Sequence, residues 1–386
     1  MAIRLQLDAQ DIFAAAKTRS GLGDYADDAL HERFDYLISL FNGFGSIREP
    51  DYPAAVEQMT ETVVKRLQVA RDWAETPAIL EEEIVQPFFV LGSARAGSTF
   101  TQMLLAMDDG HRTPRYRDVQ HPSPPRGLDT AADAAALAEQ NAYVDFMVGK
   151  SPRMMSAHPY LDQRGEAEAE DEYVYSLDFD LAYPLWYLKV PSLPQSLPPR
   201  NPVQALRFYK NMLKQFQWKT PTRRWIGKGV IHHYIPEAVM EVFPDMVGFW
   251  IHRPPEEYVA SLLELLSLQY GPFNGDLYNV RPTELVAQLK AGVQHILNNP
   301  ATFDPRLHHI RFSDMVTDPV PVFEKIYDAH GIAFTDAYAD RINVRMRDPN
   351  YRADRYGKFE YSLEKYGLEK DVLRREFAEY CDRFSI

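Results

Sequence analysis

Residues 87–99 read PFFVLGSARAGST, and the order of elements within them decides the fold. The apolar run ending at Leu91 has the composition of a buried strand. The stretch STFTQMLLAMDDG that begins at Ser98 places Phe100, Met103, Leu104 and Met107 on one helical face. Between strand and helix lies GSARAG. A P-loop has glycine, four residues, glycine, lysine, then serine or threonine. Gly92, Gly97 and Thr99 occupy those positions, but Ser98 stands where the lysine belongs.

Losing the lysine does not remove the phosphate chemistry. Backbone N–H groups in a glycine turn at a helix N-terminus hold an anion without any side chain. Ser98 and Thr99 add hydroxyls, and Arg95 carries the charge that a lysine would have supplied. The bridge across the outer phosphates of a triphosphate is gone, and Asp314 in HIRFSD is a weak substitute for a Walker B aspartate. The loop therefore suits a phosphate-like group that is not a magnesium triphosphate.

The rest of the chain fits an α/β protein. Of 386 residues, 45% are hydrophobic, enough for a full core. Residues 1–85 read as a helical N-terminal extension, with Val56, Met59, Val63, Leu67 and Ala70 at helical spacing, and 86–386 as the α/β domain. Further strands are expected in 223–229, 246–253 and 307–315, with helices between them. That alternation predicts a central, mostly parallel sheet flanked by helices. Residues 112–130 read as loop, and the acidic run GEAEAEDE at 165–172 as a solvated face or a helix end. The aromatic, proline-rich stretch 180–202 has the character of a lid or a substrate-lining segment.

Composition also excludes partners. A net charge of −13 argues against nucleic acid, whose phosphates need neutralising. No apolar run approaches a membrane span, and Asp8 and Asp11 come too early for a signal peptide. The lone cysteine, Cys381, excludes an internal disulfide and fits a cytoplasmic location. His232-His233 and His308-His309 are adjacent pairs whose side chains diverge, so no metal is expected.

A second constellation joins the loop. In FWIHRPPEEYVASLLEL, Arg253 ends a strand and Ser261 follows in the next helix, a fork and a hydroxyl for a second phosphate. Together with HPSPP, WIGKGVIHH, IRFSDMVTDP and GKFEYSLEKYGL, in this order, these residues resemble the sulfotransferase superfamily over roughly residues 85–380. The likeness is to its bacterial branch. The resemblance implies 3′-phosphoadenosine 5′-phosphosulfate (PAPS) as co-substrate and transfer of its sulfuryl group to a hydroxyl, less readily an amine. It places Arg95, Ala96, Gly97, Ser98 and Thr99 on the 5′-phosphosulfate, Arg253 and Ser261 on the 3′-phosphate, and Arg352, Arg355 or Lys358 over the nucleotide.

The chain departs from that pattern in two places. Asp118 stands where the family has a glutamate, and Gly229-Val230 replaces a Ser-Pro beside Lys228. Lys228 is the expected stabiliser of the leaving oxygen. His232, whose ordinary pKa lies near neutrality, is the expected base, with Asp118 orienting it or the acceptor. A P-loop kinase or triphosphatase, and a nucleotide-binding relative without turnover, are the alternatives. The acceptor is expected to be small and partly hydrophobic, in a pocket supplied by residues 183–188 and by Phe208, Tyr209, Phe216 and Trp218, unless these are core.

Overall fold

A computed structural model of the chain describes residues 5–44, 46–47, 49–125, 130–180, 188–189, 200–221, 223–274 and 281–386. The sheet is built from β1 (Phe88–Leu91), β2 (His111–Arg112), β3 (Arg224–Lys228), β4 (Val247–His252) and β5 (Leu307–Arg311). Its strand order is β2-β3-β1-β4-β5, and every pairing is parallel. β1 lies at the centre, flanked by the two strands whose ends carry Lys228 and Arg253. In such sheets ligands collect beyond the carboxyl ends of the strands, where the strand order reverses.

The side-chain alternation of β1 explains the two-sided core. Phe88 and Val90 face one layer, with Ile226, Val247, Phe249 and Ile251 packing against Phe323, Tyr327 and Tyr338. Phe89 and Leu91 face the other, with Trp225 and Trp250 against Leu206, Tyr209, Leu213 and Phe243. Parallel strands covered on both faces become continuous apolar runs, which is why 88–91 was legible as a strand.

The N-terminal stretch folds as three main helices, α1 (Ala9–Ser20), α2 (Asp28–Phe44) and α3 (Tyr52–Glu75). They bury Phe13, Phe34, Phe41, Val63 and Leu67 against one another and against Phe179 of the α/β part. A buried ion cluster ties the two parts together. Asp178 accepts from Arg33 Nη2 at 3.0 Å and from Arg66 Nε at 2.8 Å.

Two expectations need correction. Residues 112–130 are not all loop: Arg112 closes an edge strand, and Tyr116–Gln120 forms a short helix. The acidic run is not a solvated face: it joins the end of a short helix at Glu166 to the start of another at Glu172, the helix-end alternative. Asp171 and Glu172 are buried, Glu168 pairs with Arg115 at 2.8 Å, and Arg115 and Glu168 form an antiparallel bridge at the sheet edge. Residues 181–187 and 190–199 of the proline-rich stretch, including most of the aromatic segment 183–188, lie outside the described residues. Phe208, Tyr209 and Phe216 are core side chains.

Candidate active site

The loop between β1 and the helix α4 (Ser98–Leu105) takes a shape that few residues tolerate. Gly97 has φ 108, and a Cβ there would stand 2.3 Å from the Phe312 ring. Gly92 has φ 139, and its Cβ would stand 2.7 Å from the Ile251 carbonyl. Both glycines are thus set by close approach as well as by left-handed backbone. Arg95 also sits at positive φ, 69°, an uncommon position for a side chain. It is held by its own guanidinium, which donates to Ser261 Oγ at 3.0 Å and to the Ala157 carbonyl at 3.1 Å.

Gly97 caps α4 without a side chain, so the first-turn N–H groups of the helix point outward unsatisfied. Arg253, beyond β4, donates to the Arg95 carbonyl at 3.1 Å and lies over Phe312. The turn, Arg95, Arg253 and Ser261 therefore form one assembly. It borders a cavity of about 430 Å³ whose walls include Gly97, Ser98, Thr99, Lys228, Phe312 and Lys358. Ala96 and Ser261 are buried just behind that wall. Of the three C-terminal cations, Lys358 lines the cavity. Arg355 is engaged with Asp162 and the Pro159 carbonyl, and Arg352 pairs with Asp354.

A nucleotide bearing two phosphate groups fits this chamber. The volume lies in the range of small-molecule sites, and a glycine cradle, helix N-terminus and two arginines supply anion donors at one end. Phe312 and Phe359, the latter 5.5 Å beneath the Arg95 guanidinium, supply flat apolar surface.

A second cavity, of about 130 Å³, opens off the first. The two share Thr99, His158, Tyr160, Glu170, Lys228 and Gln269. At that junction Lys228, only 2% exposed, is ion-paired with Glu170. Both are firmly placed. Lys228 lies at the end of β3 beside Val90, and its carbonyl accepts from the Asp171 N–H at 2.8 Å. On the other side of Glu170, the Ala169 carbonyl accepts from Gln102 of α4 at 3.2 Å. His158 completes the junction. Desolvation, reinforced by Arg95 and Lys228, holds its pKa well below the usual histidine range, so it is neutral.

The other two expected catalytic residues lie elsewhere. His232 is fully buried, its Nε2 2.8 Å from the Tyr175 hydroxyl, and it lines neither cavity. Burial, with His233 adding to it, pulls its pKa down to about 3. Asp118 caps its own short helix by accepting from the Arg115 N–H at 2.9 Å. It too lines neither cavity.

Glu170 and His158 were missed in the sequence. The signal for Glu170 was an alternation: buried Ala167 and Ala169 alternate with Glu168 and Glu170, a period of two that marks an extended segment. Behind it, desolvation and the nearby Glu170 charge push Glu172 up to about 7. Burial, with Glu172 contributing, raises Asp171 well above the ordinary carboxyl range.

Comparison with known proteins agrees with this geometry. The model of the sulfotransferase family matches residues 87–336. The omega-hydroxy-beta-dihydromenaquinone-9 sulfotransferase Stf3 of Mycobacterium bovis is 23% identical over 320 residues, 77% of this chain and 74% of that protein. The crystal structure of sulfotransferase STF9 from Mycobacterium avium superposes with a TM-score of 0.78 at 24% identity, covering 98% of this chain and 97% of that one. Sulfotransferase STF1 from Mycobacterium tuberculosis gives 0.75 at 18% identity, covering 97% and 99%. The chain belongs to the sulfotransferase family and is a sulfotransferase whose donor is PAPS.

Proposed function

We propose that the larger cavity seats the nucleotide, the smaller one the acceptor, and that transfer takes place at the Lys228–Glu170 junction between them. The observation that carries this reading is the shared wall, which puts an ammonium and a carboxylate where the two cavities meet. PAPS supplies an electrophilic sulfur on a good leaving group. Arg95 and the N–H groups of Gly97, Ser98 and Thr99 hold the 5′-phosphosulfate. Arg253 and Lys358 meet the 3′-phosphate, and Ser261 sets the Arg95 fork from behind. Ala96 contributes backbone shape to the loop.

Glu170 takes the proton of the acceptor hydroxyl as the new O–S bond forms. Lys228 donates to the oxygen that leaves with the nucleotide. Charge stabilisation and alignment are the main demands of such an in-line transfer. The base is therefore Glu170 and not His232, which is walled off and neutral at any working pH. Asp118 serves its helix cap.

The acceptor is a small hydroxyl compound with an apolar body. Tyr116, Val144, Met147, Tyr173 and Leu268 wall the smaller cavity, and the Tyr116 and Tyr173 rings meet edge to face at 5.3 Å. The related Stf3 is named for omega-hydroxy-beta-dihydromenaquinone-9, a hydroxylated acceptor. We place the enzyme in the cytoplasm, supported by the single buried cysteine. No described helix is long and apolar enough to cross a membrane. We read residues 1–85 as an extension packed on the α/β domain 86–386.

The test is kinetic. Glu170→Gln lowers kcat by about 10²–10⁴-fold and leaves the affinity for 3′-phosphoadenosine 5′-phosphate (PAP) within about twofold. His232→Gln keeps kcat within about threefold and preserves the pH–rate profile. Near-normal turnover in Glu170→Gln, with loss in His232→Gln, reverses the assignment.

A further inference from the structure

The smaller cavity carries a feature that transfer at its inner end does not use. Gln140, Val144, Met147 and Ser151 follow one another at helical spacing along and just beyond the helix Thr130–Lys150, and all four line the cavity. The stripe is apolar in the middle and polar at both ends. Gln140 is 4% exposed and Ser151 is 8% exposed. Neither side chain has a hydrogen-bond partner among the described residues, and neither has a fully buried orphan atom, so their polar atoms open onto the cavity.

Polar atoms on a largely apolar cavity wall lose their water when a ligand fills the cavity, and that costs free energy unless the ligand pairs them. Two such groups on a cavity wall are explained by a ligand that pairs them. An amide both donates and accepts, and so does a hydroxyl; the groups they suit are neutral carbonyls and hydroxyls. Charge narrows the choice further. Among the described residues Lys228 is the only Lys or Arg lining this cavity, and it is already paired with Glu170, while Glu168 is paired with Arg115, so no free cation faces the ligand. An acceptor bearing a carboxylate or phosphate is therefore disfavoured.

We infer that Gln140 and Ser151 are specificity-determining residues, and that the acceptor is a neutral molecule bearing, besides its reactive hydroxyl, a carbonyl or second hydroxyl on an apolar body. The inference rests on the smaller cavity being the acceptor site. Gln140 and Ser151 stand eleven residues apart, about 16 Å along a helix, so they read different points of the acceptor. A site built to pair a polar group discriminates strongly against an analogue lacking it, because its own group is then left buried and unpaired.

The experiment uses phenols that carry a ketone on alkyl tethers of increasing length, each beside its all-alkyl counterpart, with saturating PAPS. Binding of each phenol to the PAP-loaded enzyme is measured in parallel. The wild type is expected to prefer at least one ketone over its counterpart by about tenfold or more. Gln140→Leu or Ser151→Ala removes that preference through KM, with PAP affinity unchanged as the check on folding. A wild type without preference, or a preference that survives both variants, overturns the inference. Leu268→Trp, which fills the cavity, separates the two levels. If it blocks transfer while Gln140→Leu and Ser151→Ala alter nothing, the specificity assignment alone fails. If transfer survives it, the acceptor site itself lies elsewhere and both readings fail.

Discussion

The carboxyl of Glu172 lies directly behind the reactive pair, 1% exposed, with Oε1 accepting from the Ile231 N–H at 3.0 Å. Desolvation and the Glu170 charge raise its pKa from an ordinary 4.5 to about 7. Between these values the folded chain holds a proton that the unfolded chain has released. Stability contributed by the protonated carboxyl is therefore complete below about pH 4.5 and lost as pH rises through about 7. At 1.36 kcal/mol per pH unit the loss is of the order of 3 kcal/mol. Glu172→Gln keeps the shape and the acceptor for Ile231 but cannot ionise. Urea unfolding of both proteins from pH 4.5 to pH 8.5 measures the effect. The variant gains on the wild type as pH rises, by about 3 kcal/mol at the top of the range. Asp171 is held up in part by the Glu172 charge, so it is raised less in the variant, which adds to the same gain at high pH. A difference that is flat with pH, or that shrinks upward, refutes the burial argument.

Other changes probe the loop and the junction of the two parts. Gly97→Ala forces a Cβ to within 2.3 Å of Phe312 at a left-handed φ, so PAP binding falls below detection in calorimetry while the far-ultraviolet dichroism stays that of the wild type. Asp178→Ala strands the buried Arg33 and Arg66 guanidiniums and lowers unfolding free energy by about 3–5 kcal/mol, read by denaturant titration. Ser98→Lys restores the P-loop lysine in sequence but produces no ATPase, because the described residues show no Walker B carboxylate at the loop. Asp314 is spent on Arg311, 2.9 Å away. Phosphate release from ATP and magnesium checks this.

Much of this was legible in the chain because local rules agreed with the fold. Strand β1 with both faces buried, the glycines at 92 and 97, and Arg253 at a strand end all leave marks within a few residues. The junction did not. Glu170 looked like one acid in a solvated run, since its placement comes from pairing of 168 with 115 and from the Lys228 carbonyl, contacts more than fifty residues apart. His232 sits apart for the opposite reason. Its spacing from Lys228 is right, but the chain leaves β3 through a turn that sends the imidazole back into the core against Tyr175 and Phe89. Periodicity reports which residues are buried, not which side of a sheet end they turn toward.

The loop at residues 92–99, with Arg253, is built to bind a 3′-phosphorylated adenosine nucleotide without metal. Calorimetric titration of PAP and of adenosine 5′-phosphate into the wild type and Arg253→Ala, all in EDTA, tests it directly. The wild type is expected to bind PAP far more tightly than adenosine 5′-phosphate. In the variant, loss of a charge-assisted contact worth about 1.5–3 kcal/mol closes about 10–100-fold of that gap, while adenosine 5′-phosphate affinity barely moves. Equal losses for both ligands, or binding that appears only with magnesium and favours ATP, would contradict it.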